Sequence, residues 1–348
     1  MNFALFGYSK SGKTTLFNLL TGAKIDTSVF ESGKKDPNLR TCTVPDSRLD
    51  EICALYPDKK KIPAAIDYID LPVISHSHMR KADGLTHVVR SFKDDRIPSQ
   101  RGKIDPREDI LAMEDELILA DLVSAESRLE KLEKDLKRSK NPEGEKEKDL
   151  LERIHGHLEN GKGLRECELS ETEDKLIRSF AFLSQKPLLH MINVDEKDIS
   201  SVETPEKFFP SPNKGTAVLA FCGKIEAEIL ELEDKERELF LEEYGLHQMS
   251  APKFLKSSYD LLDVITFFTI GKQEVKAWTI KKNSPASNAA GSIHTDMEKG
   301  FIRAEVIPWS QLLDLGSLQA AKEKGAVRLE GKDYAVQDGD IIYFRFSK

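Results

Sequence analysis

Eight consecutive residues near the start of the chain, Gly7-Tyr8-Ser9-Lys10-Ser11-Gly12-Lys13-Thr14, have the glycine, lysine and hydroxyl spacing of a phosphate-binding loop. In such a loop, backbone N–H groups must converge on phosphate oxygens. Gly12 lets the main chain approach with no side chain in the way. Lys13 supplies a cation for the β and γ phosphates, and the Thr14 hydroxyl supplies a hard oxygen for Mg2+. Ser9, Lys10, Ser11, Gly12, Lys13, Thr14 and Thr15 are therefore the expected phosphate-side contacts, with Lys13 as the catalytic cation.

The loop needs a buried strand before it and a helix after it, and both are legible. Phe3-Ala4-Leu5-Phe6 is a short apolar run, and Thr15 to Thr21 carries Leu16, Phe17, Leu19 and Leu20 before stopping at Gly22. The positive end of that helix adds to the field at the loop. Further strands are expected over residues 64–71, 85–92, 187–194 and 217–221, separated by helical stretches. That alternation predicts an α/β fold with a mostly parallel sheet. Ligands in such sheets sit at the carboxyl ends of the strands, where Gly7, Asp70, Asn193 and Cys222 fall.

Between the strands expected over 85–92 and 187–194, Ile118, Leu122, Ala125, Leu129, Leu132 and Leu136 recur at spacings of four and three, the pattern of a helical seam. Asn141-Pro142-Glu143-Gly144 interrupts the helix, and Leu151, Ile154 and Leu158 resume the pattern, predicting an inserted antiparallel helical hairpin of coiled-coil type. Its Lys and Glu residues read either as a solvated face or as a partner-binding arm. After Pro252, β-like runs at 264–269, 274–280, 301–306, 334–336 and 341–346, with a helix near 319–324, predict a compact α+β module.

The chain has 348 residues, room for two or three domains, and a formal net charge of −8. A chain with that charge is not basic throughout, so any nucleic-acid contact must use a local patch; no DNA partner is expected. Cys42, Cys53, Cys167 and Cys222 show no C-x-x-C spacing, which fits reduced thiols better than a disulfide framework or a zinc site. No apolar run approaches a membrane span, and a strand that starts beside Met1 leaves no room for a leader, so a cytoplasmic location is expected.

Several longer stretches carry a family resemblance: Val44 to Asp50 (VPDSRLD), His87 to Phe92 (HVVRSF), Gly102 to Pro106 (GKIDP), Glu116 to Leu122 (ELILADL), Asn193 to Glu196 (NVDE) and Lys224 to Glu228 (KIEAE). With the tail containing AWTI, HTDMEKGFIRAEVI and QDGD, they resemble the YchF/Obg-like ATPase family of translation-factor-related P-loop NTPases, from Phe3 to Phe346. The resemblance implies a P-loop nucleotide-binding domain over residues 1–106 and 180–250, the hairpin over 107–179, and a TGS-like β-grasp domain over 263–348. It also implies ATP or GTP with Mg2+ as ligands, association with ribosomes or RNA through the hairpin and the TGS-like domain, and a place in translation-associated or stress-related regulation.

Base recognition follows from residue types at the matching positions. Where related GTPases hold guanine with N-K-x-D, this chain has Asn193-Val194-Asp195-Glu196. Val194 replaces the lysine stem, and the carboxylate of Glu196 is displaced by one methylene, so guanine selectivity weakens and ATP is expected. Asn193 is expected at the base edge, with Cys222, Gly223 and Lys224 as the second base-side loop.

The hydrolytic half departs from the family pattern. Asp70-Leu71-Pro72-Val73 lacks the glycine of Asp-x-x-Gly, the loop over 74–83 is short, Lys34 stands where the family has a metal-binding Thr, and no loop histidine occurs near Ser99. Asp70 is still expected to hold Mg2+ through water. His76 and His78 lie in the short loop and offer a place for a water. Two readings remain: a slow Mg2+-dependent ATPase or GTPase, and a nucleotide-holding scaffold with little hydrolysis.

Overall fold

The computed structural model describes residues 1–25, 36–98, 101–139, 141–210 and 213–347. Lys34 and Ser99, named above, lie outside these residues. The described strands are β1 (Asn2–Phe6), β2 (Asn38–Thr43), β3 (Lys60–Ile62), β4 (Ala65–Asp70), β5 (Gly84–Ser91), β6 (Leu188–Val194), β7 (Thr216–Phe221), β8 (Val264–Ile270), β9 (Glu274–Lys281), β10 (Phe301–Pro308), β11 (Arg328–Glu330) and β12 (Asp340–Phe346). The chain divides into two units, one of Met1–Arg40 with Asp67–Leu261 and one of Thr41–Ile66 with Leu262–Lys348.

The first unit is built on a sheet of order β2-β4-β1-β5-β6-β7. β1 pairs in parallel with β4 and β5, and β6 pairs in parallel with β5 and β7. The central strands are buried on both faces because both are covered: β6 is buried along its whole length and β5 through all but Ser91. The five strands β1, β4, β5, β6 and β7 end at Phe6, Asp70, Ser91, Val194 and Phe221, which gathers the loops that follow them along one edge.

The inserted hairpin is present and antiparallel. Helix Pro106–Arg138 starts at Asp105, whose Oδ1 accepts the Glu108 N–H at 3.1 Å, with Pro106 in the first turn. Its return arm, Pro142–Glu159, starts at Asn141, which caps Glu143 N–H in the same way. Pro142, Glu143 and Gly144 thus open the second helix; the break in the seam lies just before them. Ile118, Ala125 and Leu132 pack against Leu151, Ile154 and Leu158, and Arg128 pairs with Glu147 while His155 faces Glu126. The hairpin is not separate from the sheet, because Ile110, Met113 and Leu117 of the same long helix are fully buried in the sheet's own core clusters.

The second unit is a mixed sheet of order β11-β10-β12-β8-β9-β3. One face packs on helix Ala286–Ile293 through Phe267, Val306, Ile342 and Phe344. The other packs on helices Ser47–Ala54, Trp309–Leu315 and Leu318–Glu323 through Phe268, Ile307 and Ile341 against Leu49, Ile52 and Leu312. Residues 41–66, expected within the nucleotide-binding part, therefore belong here: β3 pairs in parallel with β9, and Leu49 and Ile52 are fully buried in this core. Burying each of those two side chains is worth about 1.5–3 kcal/mol, which is why a short amphipathic helix holds its place. The run expected over 334–336 makes only an isolated bridge, Pro285 with Ala335, while β11 supplies the edge strand.

Candidate nucleotide site

The loop after β1 has the backbone that its sequence demands. Gly7 and Gly12 have φ of 140° and 103°, and Lys10 has φ of 62°. A Cβ on Gly7 would lie 2.5 Å from the Val88 carbonyl oxygen, and one on Gly12 would strike the Asn193 amide. Any side chain at either position would push the loop off the strands beneath it.

Lys13 is 6% exposed and folds back over the loop, its Nζ donating to Gly7 O at 2.8 Å and Tyr8 O at 3.0 Å. Burial pulls its pKa down to about 8, with the Asp70 carboxylate opposing the fall. The ammonium is held by neutral carbonyls, which compensate a buried charge only in part. Beside it, Thr14 Oγ1 donates to Asp70 Oδ2 at 2.9 Å, and Asn38 Nδ2 lies 3.5 Å from the same oxygen. Asp70 is 2% exposed. A hydroxyl and a carboxylate in contact are hard oxygen donors, the kind Mg2+ takes.

A cleft of about 1000 Å³ opens from this loop. Ser9, Lys10, Gly12, Lys13, Thr14 and Thr15 line one end, and Asn193, Val194, Glu196, Gly223 and Lys224 line the other. Two of the expected contacts do not reach it with their side chains. Ser11 is 2% exposed beneath the loop, and Cys222 is fully buried in the core under β6 and β7. His76 and His78 do not line the cleft; they sit on the short helix His76–Met79, where His76 Nε2 lies 3.6 Å from Glu116 and Ser75 Oγ bonds His78 Nδ1 at 2.9 Å.

Asn193 does more than line the cleft. Its Nδ2 donates to Ser11 O at 3.1 Å and its Oδ1 accepts the Gly223 N–H at 3.0 Å, so one buried amide joins the phosphate loop to the start of helix Gly223–Leu230. One N–H of Nδ2 is left for a ligand. At the rim, Lys224 Nζ bonds Glu196 Oε2 at 2.6 Å.

The wall of residues 92–97, between the two ends, carries lining residues not expected as contacts: Phe92, Lys93, Arg96 and Ile97. Arg90 shapes this loop from behind, donating to the carbonyls of Phe92, Ile97 and Asp94 with its guanidinium 4.8 Å from the Phe92 ring centroid. Asp195 Oδ2 accepts the Lys93 N–H at 3.2 Å, which ties the loop to the Asn193 end and holds the Asp195 carboxyl below its usual range. The signal for this wall is the strand end in HVVRSF, since a loop leaving the carboxyl end of a central strand faces the ligand edge.

Below the phosphate loop runs a buried polar row. His87 Nδ1 lies 3.2 Å from His190 Nδ1, His190 Nε2 faces Glu114 Oε1 at 3.5 Å, and Glu114 pairs with Arg165. Burial, then His190 and Lys13, push the His87 pKa well down, and burial lowers His190 against the pull of Glu114. A carboxylate facing His190 Nε2 favours the proton there, so His190 Nδ1 accepts from His87 Nδ1–H and both rings stay neutral.

Comparison with known proteins agrees with this geometry. Residues 264–347 match the family model YchF-GTPase_C, described as a protein of unknown function. The chain is 39% identical to the ribosome-binding ATPase YchF of Bacillus subtilis, across 99% of this chain and 98% of that protein. It is 33% identical to Obg-like ATPase 1 of rice, across all of this chain and 92% of that protein. The solved structure of the Schizosaccharomyces pombe YchF GTPase superposes with a TM-score of 0.83 at 27% identity, over 99% of this chain and 97% of that one. The phosphate loop, the inserted hairpin and the C-terminal mixed sheet thus stand in one order in one chain, and this chain belongs to the YchF/Obg-like ATPase family.

Proposed function

We propose that this protein binds ATP, and GTP less selectively, in the cleft between the phosphate loop and the Asn193 end, hydrolyses it slowly with Mg2+, and engages ribosomes in the cytoplasm. The observation that carries the reading is Lys13: a buried ammonium whose hydrogen bonds, among the described residues, go to the Gly7 and Tyr8 carbonyls, directly beside the Thr14–Asp70 pair. Relatives named as ribosome-binding ATPases support the partner.

Each residue's part follows from its chemistry. Lys13 exchanges two neutral carbonyls for anionic phosphate oxygens, a stronger, charge-assisted pairing. Backbone N–H groups of the loop and of helix Lys13–Thr21 orient the phosphates. Thr14 and Asp70 would hold Mg2+, which supplies charge to a transferring phosphoryl group when bound. Phe92 gives the base an apolar surface, and Asn193 holds the two ends in register while offering its remaining N–H to the base edge. Slow turnover follows at Pro72 and Val73, which line the cleft where a sensing glycine would stand: Pro72 has no N–H, and Val73 cannot adopt a glycine's conformations without cost.

Affinity for ATP and GTP analogues with Mg2+, then phosphate release on the same preparation, tests the reading, with Lys13→Ala as control. Tighter binding of the ATP analogue and slow release abolished in Lys13→Ala are expected. Binding with no release above that control would leave a nucleotide-held scaffold, and no binding of either analogue would sink the proposal. Sedimentation with ribosomes in each nucleotide state tests the partner.

A further inference from the structure

A second, much smaller pocket, of about 20 Å³, adjoins the phosphate loop at Tyr8, Ser9 and Ser11. Ser9 also lines the nucleotide cleft, so one loop residue borders both spaces. The place on the loop is informative. Lys13, the cation for the β and γ phosphates, rests its Nζ on Gly7 O and Tyr8 O, which makes the start of the loop its γ-phosphate end. The small pocket therefore stands beside the phosphate that hydrolysis removes.

Among the described residues that line it, Arg90, Arg101 and Lys103 are cations and Asp109 is an acid. Two of the cations are already committed. Arg90 bonds the carbonyls of Phe92, Asp94 and Ile97, and Lys103 Nζ pairs with Glu108 Oε1 at 2.6 Å. Arg101 is held more loosely: its Nη1 donates to the Glu108 carbonyl at 2.9 Å and lies 3.8 Å from Asp109 Oδ1, while its Nε and Nη2 have no hydrogen-bond partner among the described residues. The guanidinium also faces Tyr8, since burial raises the Tyr8 pKa and the Arg101 charge opposes the rise. A pocket of this size admits a water, and Ser11 Oγ, buried in its wall with no hydrogen-bond partner among the described residues, offers one a place. Arg101 thus has room to turn toward the loop without displacing a side chain.

We propose that Arg101 is a catalytic residue, whose guanidinium leaves the Glu108 carbonyl and donates to the γ-phosphate as ATP is hydrolysed. In that step the oxygen of water bonds to the γ-phosphorus while the bond from that phosphorus to the β,γ-bridging oxygen breaks. The electron pair of the broken bond stays on the β-phosphate of ADP, one proton of the water goes to inorganic phosphate, and the other goes to solvent. Charge moves onto the bridging oxygen as the bond breaks, and a second cation placed beside Lys13 stabilises it there. A planar fork with several donors meets two phosphate oxygens at once, which a lysine does not. The inference rests on the slow-hydrolysis reading above, and it supplies that hydrolysis with a group other than the Pro72 and Val73 segment.

Steady-state ATP hydrolysis by the full-length protein is measured for wild type, Arg101→Ala, Arg101→Lys, Lys103→Ala and Lys13→Ala, with thermal melting and ATP-analogue affinity on each. Arg101→Ala is expected to lower kcat about 100-fold while the affinity for the ATP analogue changes less than about threefold. Arg101→Lys should recover part of the loss, and Lys103→Ala, whose charge is spent on Glu108, should stay within about threefold of wild type. Binding of ADP with aluminium fluoride, a stand-in for the phosphoryl group in transfer, should weaken in Arg101→Ala while binding of ADP alone does not. Such a split is not expected of a residue that merely holds the loop together. A wild type that hydrolyses ATP alongside an Arg101→Ala that matches its kcat would overturn this inference alone. So would an Arg101→Ala that loses ATP-analogue affinity with kcat unchanged, since Arg101 would then bind the ground state. A wild type that binds the analogue but hydrolyses ATP no faster than Lys13→Ala would overturn the hydrolytic reading and this inference with it.

Discussion

The two ends of the nucleotide cleft are built in opposite ways. At the phosphate end, charged groups are buried before any ligand arrives: Lys13 and Asp70 are 6% and 2% exposed, Lys13 donating to the neutral Gly7 and Tyr8 carbonyls and Asp70 accepting from the Thr14 hydroxyl. At the base end, the charges sit at the rim and neutralise one another, as Glu196 and Lys224 do, with side chains 44% and 68% exposed. Buried, incompletely compensated charge gains much from a ligand that completes it, whereas an exposed ion pair gains little. Binding energy should therefore be concentrated on the phosphates, and discrimination between bases should be modest. Asn193 is the exception that sharpens the contrast, because it lies at the base end yet is buried like the phosphate end.

The largest effect is expected at Lys13. Lys13→Ala should weaken ATP-analogue binding by at least about 100-fold, near 2.7 kcal/mol, measured by calorimetry. A loss below about fivefold would mean that the phosphates are not held at the buried end of the cleft. Asn193→Ala should come next, at roughly 5- to 100-fold for both ATP and GTP analogues, since it removes two buried hydrogen bonds and loosens the loop itself. A loss confined to one of the two nucleotides would instead make Asn193 a base reader alone.

A pH effect should follow from Lys13. In the free protein its pKa is about 8, and bound phosphate favours the ammonium, so binding takes up a proton once the pH exceeds 8. Affinity should be flat below that value and fall by up to about tenfold per pH unit above it, whereas Lys13→Ala should show no such slope. Calorimetry in buffers of different ionisation heat reads the proton directly, and no uptake at pH 9 would contradict the buried-charge account. The smallest effect belongs to the rim: Glu196→Ala and Lys224→Ala should each change ATP affinity less than about threefold. A tenfold loss at either would erase the distinction between the two ends.

Much of the first unit is legible in residue order because its signals are local. The phosphate loop, the strands ending at Asp70, Val194 and Phe221, and the hairpin seam each depend on neighbours within a few residues. The 92–97 wall is harder to read, since its shape is set by Arg90 bonding three carbonyls from behind, and polar residues in a loop carry no period. Cys222 reads as a contact because it stands at a strand end, yet its side chain turns into the apolar core, a choice made by packing. Residues 41–66 escape for a different reason. β3 is three residues long, and its partner β9 lies more than 200 positions away, so neither period nor proximity announces the pairing.

That distant pairing also has a consequence in time. A ribosome adds about 5–20 residues per second. Lys60–Ile62 therefore leaves it roughly ten to forty seconds before Glu274–Lys276, the segment it pairs with, has been made. Throughout that interval the helix bearing Leu49 and Ile52 has no core to enter, and the strand has an open edge. During its own synthesis this protein carries a sticky segment flanked by the parts of its nucleotide domain, and it closes that segment off only when the last quarter of the chain appears.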